Sequence, residues 1–371
     1  MDVMNIVLVG SVLGLAYANG ANDNFKGVAT LLGSRTTNYR TALWWATSTT
    51  FAGSCAALWM SKGLVRAFSG AGLVPAGLAQ QPSFLMAVGL GAALTVMLAT
   101  LLGFPISTTH ALTGALVGGG LMAAGPVNIS VLGQKFFLPL AVSPMLSLAM
   151  TGALYPTFCF LRVRLGIERQ MCLCIDGGVV EPVHVRPDGT AVLQATGTIL
   201  TVGQMKACAE RYHGKVLGID SQWILDGLHV LSAGAVSFAR GLNDTPKITA
   251  LLVAASALHL GLTAGLLLTG IGMAVGGLLN ARRVATTMSE RITAMNHGQG
   301  FTANLTTAFL VLFASHWGLP VSTTHVSCGS LFGLGTVNQS AKWGVIRNIL
   351  LSWLVTLPLA ALLAAAIYRF A

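Results

Sequence analysis

Long apolar stretches, separated by short polar turns, run through most of the chain and predict membrane-spanning helices. A helix needs about 20 apolar residues to cross the hydrocarbon core of a bilayer, and about five stretches in each half approach that length. They cover residues 4–34, 41–62, 83–102, 104–124 and 136–161, and then residues 224–252, 256–280, 300–317, 318–337 and 344–369. Polar residues interrupt the first stretch of each half, near 19–26 and near 240–247. We therefore predict an all-α polytopic membrane protein with interrupted helices.

Two polar motifs occur twice in the chain, in the same order. Gly-Ala-Asn-Asp at residues 20–23 returns as Gly-Leu-Asn-Asp at 241–244. Gly-Phe-Pro-Ile-Ser-Thr-Thr-His at 103–110 returns as Gly-Leu-Pro-Val-Ser-Thr-Thr-His at 318–325. Polar motifs duplicated inside an apolar chain indicate an internal repeat whose copies build one site, as in membrane transport proteins. Because each half has an odd number of spans, the two repeats enter the membrane from opposite sides and have inverted topology.

A hydrophilic segment divides the chain into a first transmembrane repeat (1–161), a linker (162–221) and a second transmembrane repeat (222–371). The linker holds six of the eleven acidic residues, and Asp188-Gly189 between short alternating runs predicts a β-hairpin. Its candidate metal ligands are Cys172, Cys174, Cys208 and His184. Cys-x-Cys is not a usual zinc spacing. We therefore predict a small soluble linker, with ordinary or free thiols and no metal site.

The composition excludes the soluble and nucleic-acid-binding classes. The chain is 54% hydrophobic and 9% charged, with a mean hydropathy of +0.73, whereas soluble domains are about a quarter charged. The net charge of +10 arises mostly in short loops, where it sets topology. Three arginine pairs fall on one face, at residues 35 and 40, 162 and 164, and 282 and 283. By the positive-inside rule this face, with the linker, is cytoplasmic, and the protein lies in the cytoplasmic membrane.

Two carboxylates lie well inside apolar stretches. Outside the linker the acids are Asp2, Asp23, Asp226, Asp244 and Glu290. Of these, Asp23 and Asp244 occupy matching positions in the two repeats. A buried carboxylate in a bilayer costs several kcal/mol and is expected to face a cavity or a partner. A purely structural pairing with Lys26 and Lys247 is the alternative, but the recurrence in both halves favours a functional site.

The sequence around each aspartate predicts a helix break near mid-membrane. Asn22 and Asn243 precede the aspartates, and Gly20 and Gly241 lie two residues further back. Glycine loosens a helix, and Asn and Asp favour turns and caps. Unwound backbone at that depth is tolerated only where it lines a cavity, so these groups are candidate ligands for an ion or a polar substrate.

The repeated Ser-Thr-Thr triplets are candidate anion ligands: Ser107, Thr108, Thr109, Ser322, Thr323 and Thr324. Each triplet follows a proline by two residues and opens an apolar run, so it is predicted to lie at a helix N-terminus. Free N–H groups and the helix dipole favour an anion there. The alternative is a pair of capped helices without a ligand. His110 and His325 follow the triplets and either shuttle a proton or brace the backbone.

The four motifs together resemble the inorganic phosphate transporter (PiT) family, the cation-coupled phosphate permeases. The resemblance covers both halves, about 310 residues, and excludes most of the linker. It implies an inverted-repeat helical membrane fold with a central phosphate site. It also implies that the two Ser-Thr-Thr triplets bind phosphate, and that Asn22, Asp23, Asn243 and Asp244 coordinate the coupling cation.

The chain departs from the family pattern at Lys26 and Lys247. Family members commonly have Asn, or a similar small polar residue, three positions after the first aspartate, and in sodium-coupled relatives that neighbourhood helps to ligate sodium. An ammonium group three residues from a carboxylate lies on the same helical face and can take the place of a metal cation. Transport would then be proton-coupled or uncoupled. Alternatively, the lysine stems snorkel to the interface and leave the cation sites intact.

The predicted function is secondary transport of inorganic phosphate by alternating access, coupled to protons or sodium and without a cofactor. Monohydrogen phosphate can donate a hydrogen bond to a carboxylate and sulfate cannot, but sulfate transport and an uncoupled anion channel or exchanger stay open. An enzyme is not expected, because an acid and a base need unlike environments and the motif copies are equivalent. The expected partners are phosphate and membrane lipid, with no nucleic acid. Proteins of this shape often form homodimers, but no interface is apparent.

Overall fold

The computed structural model describes residues 3–60, 62–70, 72–123, 125–170, 211–213, 215–216, 219–255, 258 and 260–371. The chain forms two compact units. One comprises residues 1–160 together with 225–371, which is nearly all of both predicted repeats, and the other comprises residues 161–224.

In the part of the first half that the structure describes, the chain is helical, with one short 3-10 turn and one π-helical segment. Its elements are α1 (Val3–Asp23), a 3-10 turn (Asn24–Lys26), α2 (Ala29–Gly33), α3 (Tyr39–Met60), α4 (Lys62–Phe68), α5 (Ala76–Ala79), α6 (Pro82–Leu102), α7 (Thr108–Met122), α8 (Ile129–Val131), a π segment (Leu132–Phe137) and α9 (Leu138–Arg164).

The described residues of the second half from Ser221 onward are also mostly helical and also include a π segment. Its elements are α10 (Ser221–Ala254), α11 (Leu262–Asn280), α12 (Arg282–Thr286), a π segment (Thr287–Arg291), α13 (His297–His316), α14 (Thr323–Val337) and α15 (Trp343–Arg369).

The protein is a multi-pass helical membrane protein, as its sequence predicts. In the described part of the chain, five helical stretches are long and apolar enough to cross a membrane: Val3–Lys26, Pro82–Leu102, Ile129–Arg164, Leu262–Asn280 and Trp343–Arg369. The largest buried apolar cluster joins α1, α6 and α7. Large apolar side chains on the outer faces of α6 and α15, such as Leu94 and Leu354, are exposed, as expected for helices that contact lipid.

Helices α7 and α14 are too short to cross the hydrocarbon core alone. Each has 15 residues, or about 22 Å at the usual rise, against a core of about 30 Å. The predicted spans 104–124 and 318–337 therefore each divide into an extended segment and a helix, so the helix N-termini start at depth.

The predicted helix break is found in the first repeat and not in the second. In the first repeat α1 ends at Asp23, and α2 starts at Ala29 after the 3-10 turn. In the second repeat α10 continues from Ser221 to Ala254 with Pro246 inside it, so the predicted interruption near 240–247 is wrong. Lys26 is followed by Gly27, whereas Lys247 is followed by Ile248, which continues a helix. Proline disturbs one turn of a helix but can be accommodated as a kink.

The motif glycines provide close helix packing rather than a loosened helix. Gly20 and Gly241 both lie inside helices. A Cβ atom added at Gly20 would lie 2.0 Å from the carbonyl oxygen of Met273, and one at Gly241 would lie 2.0 Å from that of Thr50. Small residues let backbones approach closely in membrane proteins. The contribution of these glycines is thus interhelical, which a single sequence does not reveal.

Among its described residues, the second unit contains two antiparallel strand pairs. Strand β1 (Glu168–Gln170) pairs with β2 (Arg211–His213), and β3 (Lys215–Val216) pairs with β4 (Ile219–Asp220). The hairpin predicted around Asp188-Gly189 lies outside the described residues. So do the candidate metal ligands Cys172, Cys174, Cys208 and His184.

Candidate transport site

The two Ser-Thr-Thr triplets begin α7 and α14, which confirms their predicted place at helix N-termini. Ser107 is the N-cap of α7, and its hydroxyl accepts a hydrogen bond from the backbone N–H of His110 at 3.1 Å. Ser322 caps α14 in the same way and accepts from the N–H of His325 at 3.2 Å. All six hydroxyl side chains of the triplets are buried. Each serine oxygen is thus engaged in a cap, and its O–H remains able to donate.

Each buried aspartate is paired with the lysine three residues after it. The Lys26 ammonium donates to Oδ1 of Asp23, and the Lys247 ammonium donates to Oδ1 of Asp244 at 3.2 Å. All four side chains are at most 3% exposed. The lysine stems therefore do not snorkel to the interface, and the ammonium groups lie where a cation would contact the carboxylates.

Both lysines also reach the other repeat. Lys26 donates to the hydroxyl of Thr324, and Lys247 donates to the hydroxyl of Thr109 at 2.9 Å. Within its own repeat, each ammonium donates to the carbonyl oxygen directly before the motif serine, Ile106 at 2.8 Å and Val321 at 2.6 Å. The two copies of the site therefore exchange hydrogen bonds with each other, and they form one polar cluster.

The threonine hydroxyls complete this exchange between repeats. Thr324 donates to the carbonyl oxygen of Ile106 at 2.7 Å, and Thr109 donates to that of Val321 at 3.3 Å. Each extended segment before a motif helix is therefore held by the helix N-terminus of the opposite repeat.

The two motif asparagines hold the extended segments in place. In the first repeat, Nδ2 of Asn22 donates to the carbonyl oxygen of Phe104 at 3.0 Å, and its Oδ1 accepts from the N–H of Ile106 at 3.1 Å. In the second repeat, Nδ2 of Asn243 donates to the carbonyl oxygen of Val321 at 3.2 Å. Oδ1 of Asn22 also accepts from Lys26 at 3.0 Å. Both amides thus orient the backbone that leads into the Ser-Thr-Thr helices.

The remaining two triplet residues contact the carboxylate region. The Thr323 hydroxyl donates to Oδ2 of Asp244 at 3.3 Å, and the Thr108 hydroxyl accepts from Nδ2 of Asn19 at 2.9 Å. Asn19 also donates to Oδ2 of Asp23 at 3.3 Å and lies 3.5 Å from Oδ2 of Asp244. Asn19 thereby bridges the two aspartates.

Sequence reasoning missed Asn19 and Arg240. The Arg240 guanidinium is 1% exposed, and it donates to Oδ1 of Asn19 at 2.8 Å, to Oδ1 of Asn24 at 3.1 Å and to Oγ1 of Thr50 at 3.3 Å. Its Nε has no hydrogen-bond partner among the described residues. An arginine directly before Gly241, inside an apolar stretch, is an intramembrane charge by the same argument that singled out the aspartates.

The charges of the cluster leave an excess of positive charge. Lys26, Lys247 and Arg240 face Asp23 and Asp244, so the formal charge is +1 when all five groups are ionised. Two helix N-termini, each with a positive dipole end, point into the same region. The cluster is therefore electrostatically suited to an anion.

The two motif histidines lie against each other where the repeats meet. The rings of His110 and His325 have centroids 4.6 Å apart at an angle of 72°. His325 also stacks on Trp353, with centroids 3.9 Å apart, and its Nδ1 lies 3.1 Å from the carbonyl oxygen of Leu140. The other nitrogen of His325 and Nδ1 of His110 have no partner among the described residues. Proton transfer by this pair stays a prediction.

No group of three or more His, Cys, Asp or Glu side chains suited to a metal ion occurs among the residues that the structure describes. In Asp23 and in Asp244, one carboxylate oxygen accepts a hydrogen bond from a lysine.

A model of one protein family matches residues 19–364, and its description is the phosphate transporter family. This range contains both copies of each motif and most of both predicted repeats. The chain belongs to the phosphate transporter family. The resemblance inferred from the motifs is thus confirmed, and the family is one of transporters.

Relatives in the phosphate transporter family match along nearly the whole chain. A Pyrococcus abyssi protein that is named as a phosphate permease is 27% identical over 100% of this chain and 98% of its own length. An inorganic phosphate transporter of Arabidopsis thaliana, named as chloroplastic, is 28% identical over 94% of this chain and 69% of its own length.

A solved structure shares the fold of this member of the family. It is that of a protein named as a sodium-dependent phosphate transporter, and it superposes with a TM-score of 0.75 at 22% sequence identity. The match covers 100% of this chain and 99% of the other chain. At this identity the match establishes the fold, and the sodium dependence is a property of that other protein.

Proposed function

We propose that this member of the family carries inorganic phosphate across the cytoplasmic membrane by alternating access, with protons rather than sodium as the coupling ion. The anion binds between the two Ser-Thr-Thr helix N-termini, close to Lys26, Lys247 and Arg240. The same polar cluster joins both predicted inverted repeats, so a movement of one repeat against the other changes the side from which the cluster is reached.

The observation that carries this proposal is the pair of intramembrane lysine–aspartate contacts. In each repeat an ammonium group lies within hydrogen-bond distance of the carboxylate that a sodium ion would need as a ligand. Since a lysine is covalently fixed, it cannot be transported and cannot couple uptake to a sodium gradient. A proton can still serve as the coupling ion, because unlike sodium it needs no dedicated set of oxygen ligands.

The excess positive charge supports an anion as the substrate. Arg240 adds a third cation to two neutralised aspartates, and guanidinium groups match the geometry of phosphate oxygens. Oδ2 of Asp23 accepts a hydrogen bond from Asn19, and Oδ2 of Asp244 accepts one from Thr323. A protonated phosphate oxygen is a suitable donor to such a carboxylate oxygen, which favours phosphate over sulfate.

The contacts of both aspartates with lysines also make sulfate the second candidate substrate. A paired carboxylate repels a fully ionised oxyanion less than a free one does, because the adjacent ammonium group compensates its charge. Sulfate transport is therefore the main alternative within the same fold and the same cluster.

Radiolabelled phosphate uptake into proteoliposomes tests the proposal. Proton and sodium gradients are imposed separately, with sulfate as the competitor. We expect accumulation with an inward proton gradient, none with a sodium gradient alone, and little inhibition by sulfate. Accumulation driven by sodium would contradict the coupling, and accumulation of labelled sulfate in preference to phosphate would contradict the substrate.

A further inference from the structure

A second buried polar cluster, distinct from the transport site, connects α2, α10 and α13. It consists of Thr30, Thr36, Asp226, His229 and His297. His229 is 0% exposed, His297 is 6% exposed, and the Asp226 side chain is 37% exposed. The cluster therefore extends from a partly exposed carboxylate to a fully buried histidine.

Hydrogen-bond distances link these side chains into one continuous chain. Nδ1 of His297 lies 2.5 Å from Oδ1 of Asp226. The Thr36 hydroxyl lies 3.2 Å from Nδ1 of His297 and 3.2 Å from Nδ1 of His229. Nε2 of His229 lies 3.1 Å from the hydroxyl of Thr30. His229 is thus engaged through both ring nitrogens, which is the arrangement that lets an imidazole accept a proton on one side and release one on the other.

The backbone leaves space for the His229 ring at this position. A Cβ atom at Gly300 of α13 would lie 2.5 Å from the ring and 3.2 Å from Cβ of Thr30. Among the described residues, the titratable groups beside His229 are His297, whose ring centroid lies 6.5 Å from that of His229, and Asp226. An ionisable side chain inside a membrane helix is expensive to keep and is a functional candidate by default.

Polar groups continue from this cluster along one face of α10 to the transport site. After His229, that face carries Ser237, Arg240 and Asp244, at spacings of eight, three and four residues, which place them on one side of a helix. Ser237 is 0% exposed and its hydroxyl has no partner among the described residues. A Cβ atom at Gly27, next to Lys26, would lie 2.2 Å from that hydroxyl. Ser237 is thus a buried polar group between His229 and the arginine of the transport site along α10.

We propose that the cluster of Thr30, Thr36, Asp226, His229 and His297 is the route by which the coupling proton passes between water and the transport site. The inference rests on the proton coupling proposed above and assigns residues outside the family motifs to it. The route carries only protons: for each proton that enters at Asp226, one proton leaves toward the transport site. No bond to the substrate forms or breaks.

Each step transfers one proton between neighbours. The Asp226 carboxylate takes a proton from water and gives it to Nδ1 of His297. Because Asp226 and Thr36 both contact Nδ1 of His297, the same nitrogen then gives its proton to the Thr36 oxygen while the Thr36 hydroxyl proton moves to Nδ1 of His229. His229 then passes its Nε2 proton to the Thr30 oxygen while the Thr30 hydroxyl proton moves to solvent water that reaches the transport site.

Glutamine variants of the two histidines separate proton transfer from structural support. An amide has a donor and an acceptor and can hold the same neighbours, but it cannot relay a proton at neutral pH. His229→Gln and His297→Gln are compared with the wild type and with His316→Gln, which changes an exposed histidine on α13. Two activities are measured in proteoliposomes: phosphate accumulation driven by a proton gradient, with luminal pH followed by a trapped dye, and exchange of labelled phosphate at equal pH.

Positioned proton transfer is commonly worth about 10² or more in rate, so we expect proton-driven accumulation and luminal acidification to fall at least about tenfold in both variants. Exchange should stay within about twofold of the wild type, because it needs no net proton movement. Unchanged accumulation, or an equal loss of exchange and accumulation, would overturn the relay and leave proton coupling standing. Absence of proton-driven accumulation in the wild type would overturn the proposed coupling itself, and the relay with it.

Discussion

Asn19 and Arg240 occupy the same position in the two copies of the motif, three residues before the asparagine, and they hydrogen-bond to each other. The Arg240 guanidinium donates to Oδ1 of Asn19 at 2.8 Å. This contact fixes the Asn19 amide so that its Nδ2 faces Thr108 and Asp23. The two repeats thus differ in charge at the point where they meet, and this asymmetry gives the site its third cation.

The Arg240 contact leads to the first prediction. Arg240→Gln removes the third cation and releases the Asn19 amide, and breaking a buried charge network costs about 3–5 kcal/mol. We expect phosphate uptake to fall at least about tenfold. The loss should be smaller in Arg240→Lys, which keeps the positive charge but lacks the planar guanidinium donors. Uptake is compared with that of Arg66→Gln, an exposed arginine on α4. Equal uptake in Arg240→Gln and Arg66→Gln would show that the third cation has no role in anion binding.

A double substitution tests whether the lysines take the place of metal cations. In Lys26→Asn/Lys247→Asn each aspartate loses its ammonium partner and gains a side chain that can ligate a cation. We expect uptake by the parent to be insensitive to sodium and uptake by the double variant to become sodium-stimulated. The control, Lys62→Asn/Lys135→Asn, changes two exposed lysines. Equally strong sodium stimulation in the parent and in the double variant would rule out the replacement.

Removal of either carboxylate is the third prediction. Asp23→Asn and Asp244→Asn are nearly isosteric, but each leaves a buried lysine without its counter-charge. We expect coupled phosphate accumulation to be abolished while the protein is still found in the membrane, as measured by uptake and by quantitative blotting of membranes. Glu290→Gln, an exposed carboxylate, serves as the control. Wild-type accumulation in either variant would exclude that aspartate from the mechanism.

Glycine substitutions in α1 test the close packing of the motif. A Cβ atom at Gly20 would lie 2.0 Å from a backbone oxygen of α11, whereas one at Gly10 would meet nothing within 4 Å. Overpacking costs about 1–3 kcal/mol, so Gly20→Ala should lower the unfolding temperature in detergent. Gly10→Ala should be neutral or stabilising by up to about 1 kcal/mol, from helix propensity. Similar melting temperatures for the two variants would contradict the packing role.

Membrane character and the helix N-termini of the Ser-Thr-Thr triplets follow from local sequence. Long apolar runs leave no other way to satisfy the backbone in lipid. A serine after an extended Pro-containing segment caps the helix that follows, as Ser107 and Ser322 do. Local sequence also identifies Asp23 and Asp244 as candidate functional residues. A charge inside an apolar span is costly, and these two occupy matching positions in the duplicated motifs.

Two predictions are wrong: the helix break in the second repeat and the loosening of the helix by the motif glycines. Both features depend on neighbours in space, which the local sequence does not specify. Gly20 and Gly241 look alike as helix-loosening residues, but each lies against the backbone of another helix. Whether the chain unwinds after a motif depends on the next residues and on packing, so α1 ends at Asp23 while α10 continues past Asp244.

The sequence by itself determined the membrane class, the duplicated motifs and the identity of the polar residues that carry the charge. Only the tertiary structure decided that Lys26 contacts Thr324 and Lys247 contacts Thr109, and that Arg240 joins the same cluster. It also brought His229 and His297 together from different helices. The physical reason is that a buried charge needs a partner but does not specify which one. That choice is made by the packing of helices that are distant in the chain.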